Sequence, residues 1–263
     1  MPYASTNGIQ LYYETRGRGT PLVLVSGLGA DAHFWYRQVP ALSEAHEVIT
    51  FDNRGACRSA KPDEPYSIRM LAEDVAGLLD ALEIPAVRLV GASLGGFVVQ
   101  EFALTHPERT AQVVLCCTSF GGPHSEPIPA ETTQVLLDRT GDPGRDLRVF
   151  LAVQFATDFP QTHPAEIDDY VAWRVAHPQP LFAYQRQLMA AAAHDTEERI
   201  GDLHAPVLIL HGERDRVVPV ENARLLAARI PGARLHIFPD AGHLFLWERA
   251  DDANRLIRDF LTA

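Results

Sequence analysis

Val87-Arg88-Leu89-Val90-Gly91-Ala92-Ser93-Leu94-Gly95-Gly96-Phe97-Val98-Val99 reads as a buried strand, a turn of small residues around one serine, and an apolar helix. That order is the G-x-S-x-G nucleophile elbow, which holds a serine hydroxyl out at the top of a parallel sheet. The spacing has a steric cause. So sharp a turn strains the serine backbone, and side chains two positions to either side would clash; Gly91 and Gly95 carry none. Ala92 and Gly96 let strand and helix cross closely. The helix that follows turns its unpaired N–H groups toward the serine, where they would stabilise an oxyanion. The motif alone is common: with glycine at about 7% of residues, roughly one chain in ten of this length carries it by chance. The rest of the chain has to decide.

Strand and helix signals alternate around the elbow. Ile9–Thr15 alternates like an edge strand, and Pro21–Ser26, His46–Asp52, Ala86–Val90, Gln112–Thr118, Pro206–His211 and Arg234–Phe238 are short apolar runs. Helical periodicity covers Ser67–Leu82, Ser93–His106, Glu221–Ile230 and Ala253–Leu261. The pattern predicts an α/β fold with a doubly wound, mostly parallel sheet. One stretch departs from it. Between Gly121 and Gly201 only helical segments are visible, at Ala130–Arg139, Arg145–Thr157, Ala165–His177 and Pro180–His194. The expected organisation is a core domain of residues 1–121 and 202–263, with a helical cap, residues 122–201, inserted between two sheet strands. The insertion carries Phe150, Phe155, Tyr170, Trp173, Phe182, Tyr184 and Met189, more large apolar residues than an exposed helix pair needs. Most should pack the insertion onto the core. Phe150, Phe155 and Trp173, with Phe34 and Leu244 from the core, are the candidates for a substrate pocket.

A serine nucleophile needs a base to take its proton and an acid to orient that base. In open α/β sheets both are expected just past the carboxyl ends of later strands. Val207–Leu210 runs into His211-Gly212-Glu213-Arg214-Asp215, and Leu235–Phe238 runs into Pro239-Asp240-Ala241-Gly242-His243. A single Asp before a turn is usually a turn former, and one His among eleven is usually structural. The order Ser93, Asp215, His243, each a few residues past a strand, makes the three a candidate catalytic triad.

The chain resembles the α/β-hydrolase fold superfamily over essentially its full length. The resemblance rests on Gly91-Ala92-Ser93-Leu94-Gly95-Gly96, His211–Pro219 and Asp240–His243. Phe51-Asp52-Asn53-Arg54-Gly55-Ala56-Cys57-Arg58-Ser59 is similar to the family's D-x-R-G-x-G-x-S turn, with Cys57 where glycine is usual. Within the superfamily it looks like the small carboxylesterases and 3-oxoadipate enol-lactonase-like hydrolases. The resemblance implies an oxyanion hole from the backbone N–H groups of Leu94 and of Leu28, in the loop Ser26-Gly27-Leu28-Gly29-Ala30-Asp31. Ser26 stands where the family usually has histidine. The implied activity is a cofactor-independent serine hydrolase for a small-molecule carboxylic ester or lactone. C–C bond hydrolases and cofactor-free perhydrolases use the same triad, so they remain alternatives, as does a non-catalytic small-ligand receptor on the same fold. Serine at 93, rather than aspartate, argues against dehalogenase or epoxide hydrolase chemistry.

Other classes find less support. Gly27-Leu28-Gly29-Ala30-Asp31-Ala32 after a strand also fits the dinucleotide fingerprint G-x-G-x-x-A, with Asp52 about twenty residues on as a ribose acid. Against it, Pro40 interrupts the following segment and His33-Phe34-Trp35-Tyr36 is a crowded helix start. The formal charge of −11 argues against nucleic-acid or anionic-membrane partners. No metal-ligand spacing, signal peptide or membrane-spanning run is visible. Three cysteines, Cys57, Cys116 and Cys117, give no disulfide framework, and the adjacent pair should face opposite sides of a strand. The expected setting is cytoplasmic, with no cofactor and no metal, and with monomer and homodimer both open.

Overall fold

The computed structural model describes residues 2–138 and 140–262. Among them, strands β1 (Tyr3–Thr6), β2 (Ile9–Arg16), β3 (Thr20–Val25), β4 (His46–Phe51), β5 (Val87–Ala92), β6 (Thr110–Cys116), β7 (Val207–Gly212) and β8 (Arg234–Phe238) form one sheet. Its order is β1-β2-β4-β3-β5-β6-β7-β8. The β1–β2 and β2–β4 pairs are antiparallel and the others parallel. The chain leaves β3 toward β4 and returns to β5 on the other side, so the loops after β3 and β5 diverge at a switch point. Open α/β sheets place their sites there.

The apolar runs become strands because both faces are covered. Val23 and Val25 of β3 join one buried cluster, Leu22 and Leu24 the other, and Val113 and Val114 of β6 divide in the same way. Helices α2 (Ile68–Ala81), α3 (Leu94–Thr105) and α9 (Glu221–Arg229) lie on the first face, while α1 (Val39–Leu42) and α11 (Ala250–Leu261) lie on the second. In α2 the buried Ile68, Leu71, Ala72, Val75, Leu78 and Leu79 form one stripe, and the Ser67 hydroxyl accepts from the Met70 N–H to start it. Between β6 and β7 come α4 (Ala130–Leu137), α5 (Pro143–Gln154), α6 (Phe159–Thr162), α7 (Pro164–Ala176) and α8 (Leu181–Ala192). The ends of this helical stretch meet where Gly121 pairs with Asp195.

Several sequence expectations need correction. β2 is not the edge strand, because β1 covers it; β1 alternates in burial, but over four residues of mixed polarity that do not stand out in the sequence. The first insertion helix ends at Leu137, and Arg139 lies outside the described residues. Short elements built on local turns were not anticipated: α1, α6, α10 (Phe245–Glu248) and a 3-10 turn at Ala32–Trp35. Cys116 and Cys117 do not face opposite sides. The strand stops at Cys116, Cys117 turns to φ +43°, and both thiols enter the same buried cluster. Cys57 takes φ +35°, the left-handed region glycine would have occupied at no steric cost, so the family turn keeps its course on a strained residue.

Candidate active site

Ser93 stands between β5 and α3 at φ +55°, ψ −120°, outside the regions an ordinary side chain prefers. The surroundings over-determine this strain. The Ser93 N–H donates to the Cys116 carbonyl (2.9 Å), and the Ser93 carbonyl accepts from the Gly96 N–H (2.8 Å) and the Thr118 hydroxyl (2.9 Å). Gly95 is required by close approach, since a Cβ there would stand 2.0 Å from the Val25 carbonyl oxygen.

Asp215 and His243 come from the turns after β7 and β8. These turns are tied together by the Glu213 N–H on the Phe238 carbonyl and the Arg214 N–H on the Ala241 carbonyl, both 2.9 Å. His243 Nδ1 lies 2.7 Å from Asp215 Oδ2. The other carboxylate oxygen accepts from the Val217 and Val218 N–H groups at 2.7 and 2.8 Å. His211 also approaches: its Nε2 is 3.1 Å from Asp215 Oδ2 and 2.8 Å from the Val218 carbonyl. Burial alone would raise the Asp215 carboxyl. The charge and hydrogen bonds of His243 and His211 outweigh it, holding the group well below the usual carboxylate range. Asp215 is therefore an anion fixed on Nδ1 of His243, which leaves Nε2 as the nitrogen that can exchange a proton.

Ser93 and His243 share the wall of a cavity of about 480 Å³. The loop after β3 closes the third side: a Cβ on Gly27 would stand 3.2 Å from Ser93 Cβ and 3.7 Å from its Oγ. Among the described residues no backbone carbonyl takes the N–H of Leu28 or Leu94. The loop that lacks the family histidine is braced otherwise. The Ser26 hydroxyl donates to the Asp31 carbonyl (2.9 Å), and the Asn53 amide donates to the Ser26 carbonyl (3.0 Å). Asp52 is spent on the same scaffold: it accepts from the Ala32 N–H and from the Arg58 guanidinium. It holds the loop rather than standing free for a ribose, and a single 3-10 turn follows Gly27–Asp31 where the dinucleotide reading needs a long helix.

Of the five pocket candidates, Phe34, Phe150 and Leu244 line the cavity. Phe155 and Trp173 do not. Phe155 stacks on Phe159 (5.2 Å between ring centroids), and Trp173 lies between His33 and His177 with its indole N–H 3.3 Å from Asp31 Oδ2. Both pack the helical stretch onto the core. Sequence reasoning missed Gln154, Tyr170, Arg174, Gln179 and Tyr184 as lining residues, along with Trp247 of α10. No motif marks them, because their positions depend on how irregular helices dock. Arg174, with 12% of its side chain exposed, is a cation in a largely apolar wall, with Nε 3.3 Å from Asp31. Among the described residues no three His, Cys, Asp or Glu side chains converge to hold a metal ion, and no helix is long and apolar enough to cross a membrane.

Known proteins share this fold. The enol-lactonase from Burkholderia xenovorans LB400 superposes with a TM-score of 0.88 at 30% identity, covering 100% of both chains. The meta-cleavage product hydrolase CumD of Pseudomonas fluorescens IP01 superposes at 0.87 with 26% identity, over 99% of this chain and 97% of that one. A 2-hydroxy-6-oxo-6-phenylhexa-2,4-dienoate hydrolase of Comamonas testosteroni is 32% identical over 95% of this chain and 91% of its own. A protein of Azorhizobium caulinodans, 30% identical over 99% of this chain and 98% of its own, carries the words carbamate hydrolase in its name. The relatives are hydrolases that differ in the bond they cut. Residues 20–250 match the family model described as alpha/beta hydrolase fold, and the chain belongs to that family.

Proposed function

We propose that the protein is a serine hydrolase of small carboxylic esters or lactones, working through Ser93, His243 and Asp215. The observation that carries the reading is the strained Ser93 elbow sharing one cavity with a histidine whose Nδ1 is 2.7 Å from a buried aspartate. Neutral His243 takes the Ser93 proton at Nε2 as Oγ attacks the carbonyl carbon. The tetrahedral oxyanion is held by the Leu28 and Leu94 N–H groups, and Asp215 stabilises the imidazolium. His243 then protonates the departing alkoxide, which leaves as the alcohol. Water, deprotonated by the same histidine, cleaves the acyl-enzyme and restores Ser93. Residues 122–201 act as a cap that shapes the pocket, and the cavity size and apolar wall suit a compact substrate.

A second reading is a C–C bond hydrolase for an anionic substrate, as the dienoate named for the Comamonas relative would be; Arg174 lies in that wall, its charge shared with Asp31 at 3.3 Å, and Asp146 is in the same lining. A nitrophenyl ester series from acetate to decanoate, run beside a lactone and a 2-hydroxy-6-oxo-dienoate, separates the two. The expected result is ester and lactone turnover, covalent fluorophosphonate labelling at Ser93, and a loss of about a millionfold in kcat for Ser93→Ala. Normal turnover by Ser93→Ala would end the serine reading. Turnover of the dienoate alone would transfer the site to C–C chemistry.

A further inference from the structure

We infer that Gln187, a residue of the helical stretch rather than of the sheet, is a positioning residue for the oxyanion hole and couples the seating of the cap to the assembly of the catalytic machinery. The inference rests on the proposed role of the Leu28 N–H. Gln187 lies on α8 and is fully buried. Its Oε1 accepts from the Gly29 N–H at 3.0 Å and from Gln179 Nε2 at 3.1 Å, while its Nε2 donates to the Arg54 carbonyl at 2.7 Å. The amide orientation is fixed by these partners, since a backbone N–H can only donate and a carbonyl can only accept.

The partner matters because of where Gly29 sits. The Ala30 N–H donates to the Gly27 carbonyl (3.2 Å), which closes a four-residue turn with Leu28 and Gly29 at its centre. Gly29 has φ +68°, the left-handed value a type II turn requires at its third position. Types I and II differ by a flip of the central peptide, here the Leu28 C=O with the Gly29 N–H. An acceptor held on that N–H selects one of the two orientations. The Leu28 N–H belongs to the neighbouring peptide, whose direction such a flip does not change; what the clamp fixes is the place of the turn, because the Gly29 N–H that Gln187 holds is one peptide away from the Leu28 N–H. With the family histidine replaced by Ser26, this clamp comes from the helical stretch, through α8. Gln179 and Tyr184 close over the same point, since a Cβ on Gly29 would stand 3.1 Å from Gln179 Oε1 and 3.3 Å from the Tyr184 ring. Lifting α8 would remove the acceptor and leave the Gly29 N–H without its partner.

The test compares Gln187→Met, which keeps the shape and loses both polar ends, with Gln187→Glu, which keeps an acceptor for Gly29 and, held as the neutral acid by full burial against the Arg54 carbonyl, a donor for that carbonyl. Losing one oxyanion donor outright costs 10²–10³ in kcat, so a mis-aimed donor is expected to lower kcat of Gln187→Met about tenfold, with KM within about twofold. Affinity for a trifluoromethyl ketone, whose adduct places an oxyanion in the hole, should fall by the same factor as kcat/KM. Gln187→Glu should retain most of both. A merely structural role would instead reduce the fraction of sites titrated by fluorophosphonate and leave kcat per titrated site unchanged; that result overturns the inference, as does wild-type kcat in a folded Gln187→Met. Should the Met variant not fold, a folded Glu variant with a tenfold loss would also overturn it. Failure of the serine reading itself is seen separately, in an active Ser93→Ala.

Discussion

The sheet rim and the helical stretch that faces it build one cavity by different means. On the rim, backbone fixes the chemistry: Ser93 is held by bonds to and from its own peptide groups, and Asp215 by two N–H groups of its own turn. The strands beneath are closed on both faces, with Leu22, Val23, Leu24 and Val25 at zero exposure. The helical stretch is looser. Leu137, Val149, Val175, Leu181 and Met189 all lie on it with 45–65% of their surface exposed. Its ties to the core include side-chain contacts: Glu166 with Arg37, Gln187 with Gly29, and the Ala156 and Thr157 N–H groups on Glu248. Backbone geometry tolerates little variation, whereas side-chain ties can be exchanged singly. Side-chain ties of this kind leave room for a helical stretch to vary over a fixed sheet rim.

If that division is right, changes on the rim abolish chemistry at little cost in folding, and changes in the cap do the reverse or alter selectivity. Ser93→Ala is the largest expected effect. Asp215→Asn comes next: the amide can no longer hold the imidazolium, and it can reverse the histidine tautomer, so kcat should fall by about 10⁴-fold. The nitrogen of the amide would also face the Val217 and Val218 N–H groups if it turned the other way, so only one orientation is open to it. A pre-steady-state ester assay, with circular dichroism to check the fold, reads the outcome. A loss under tenfold would mean that the rim does not depend on its acid.

The same contrast governs what the sequence could reveal. Ser93, Asp215 and His243 were legible because each sits a few residues past an apolar strand, and the strand order fixes which ends converge. The loop at Leu28 was singled out by the family resemblance rather than by strand placement alone. Gln187, Arg174 and Tyr170 were not, because a helix position says which face it shares but not what lies opposite. Phe155 and Trp173 show the converse error: large apolar residues in an insertion are as easily packing as pocket, and only the docking of α5 and α7 assigns these two to packing. Chain periodicity also cannot register elements only one or two repeats long, which is why β1, α1 and α10 leave no clear signal.

A smaller effect should appear in acid, at the point where the helical stretch returns to the core. The His194 ring stacks on Phe97 (4.3 Å between centroids), and its carbonyl accepts from the Gly122 N–H. Burial pushes its imidazolium down to about 4, with the Glu101 carboxylate opposing in part. The sign follows from proton uptake. Between about 6.5 and 4 the unfolded chain binds a proton that the folded chain does not, so stability falls as pH drops through that window. The total is on the order of 3 kcal/mol, the depression multiplied by about 1.4 kcal/mol per pH unit. Urea unfolding of the wild type and His194→Gln at pH 7 and pH 4.5 checks it. The variant should lose less stability than the wild type on acidification, and equal losses would remove His194 as the source.

The smallest expected effect is the one that isolates the cap. Phe150, on α5, lines the cavity from the helical side. Removing its ring in Phe150→Ala enlarges the cavity and leaves in place Ser93, His243 and the Leu28 and Leu94 N–H groups, the proposed machinery. Discrimination between substrates differing by a methylene in an apolar pocket is worth about 1–3 kcal/mol. The ratio of kcat/KM for octanoate over acetate esters should therefore shift toward the longer chain by roughly tenfold. The acetate rate, governed by the rim, should stay within about twofold, because the groups that act on the carbonyl carbon are untouched. An equal fall for every ester would instead show that α5 positions the rim as well as bounding the pocket. The Leu244 N–H on the Gln154 carbonyl (3.1 Å), which ties the end of α5 to the residue after His243, is the contact through which such a fall would travel.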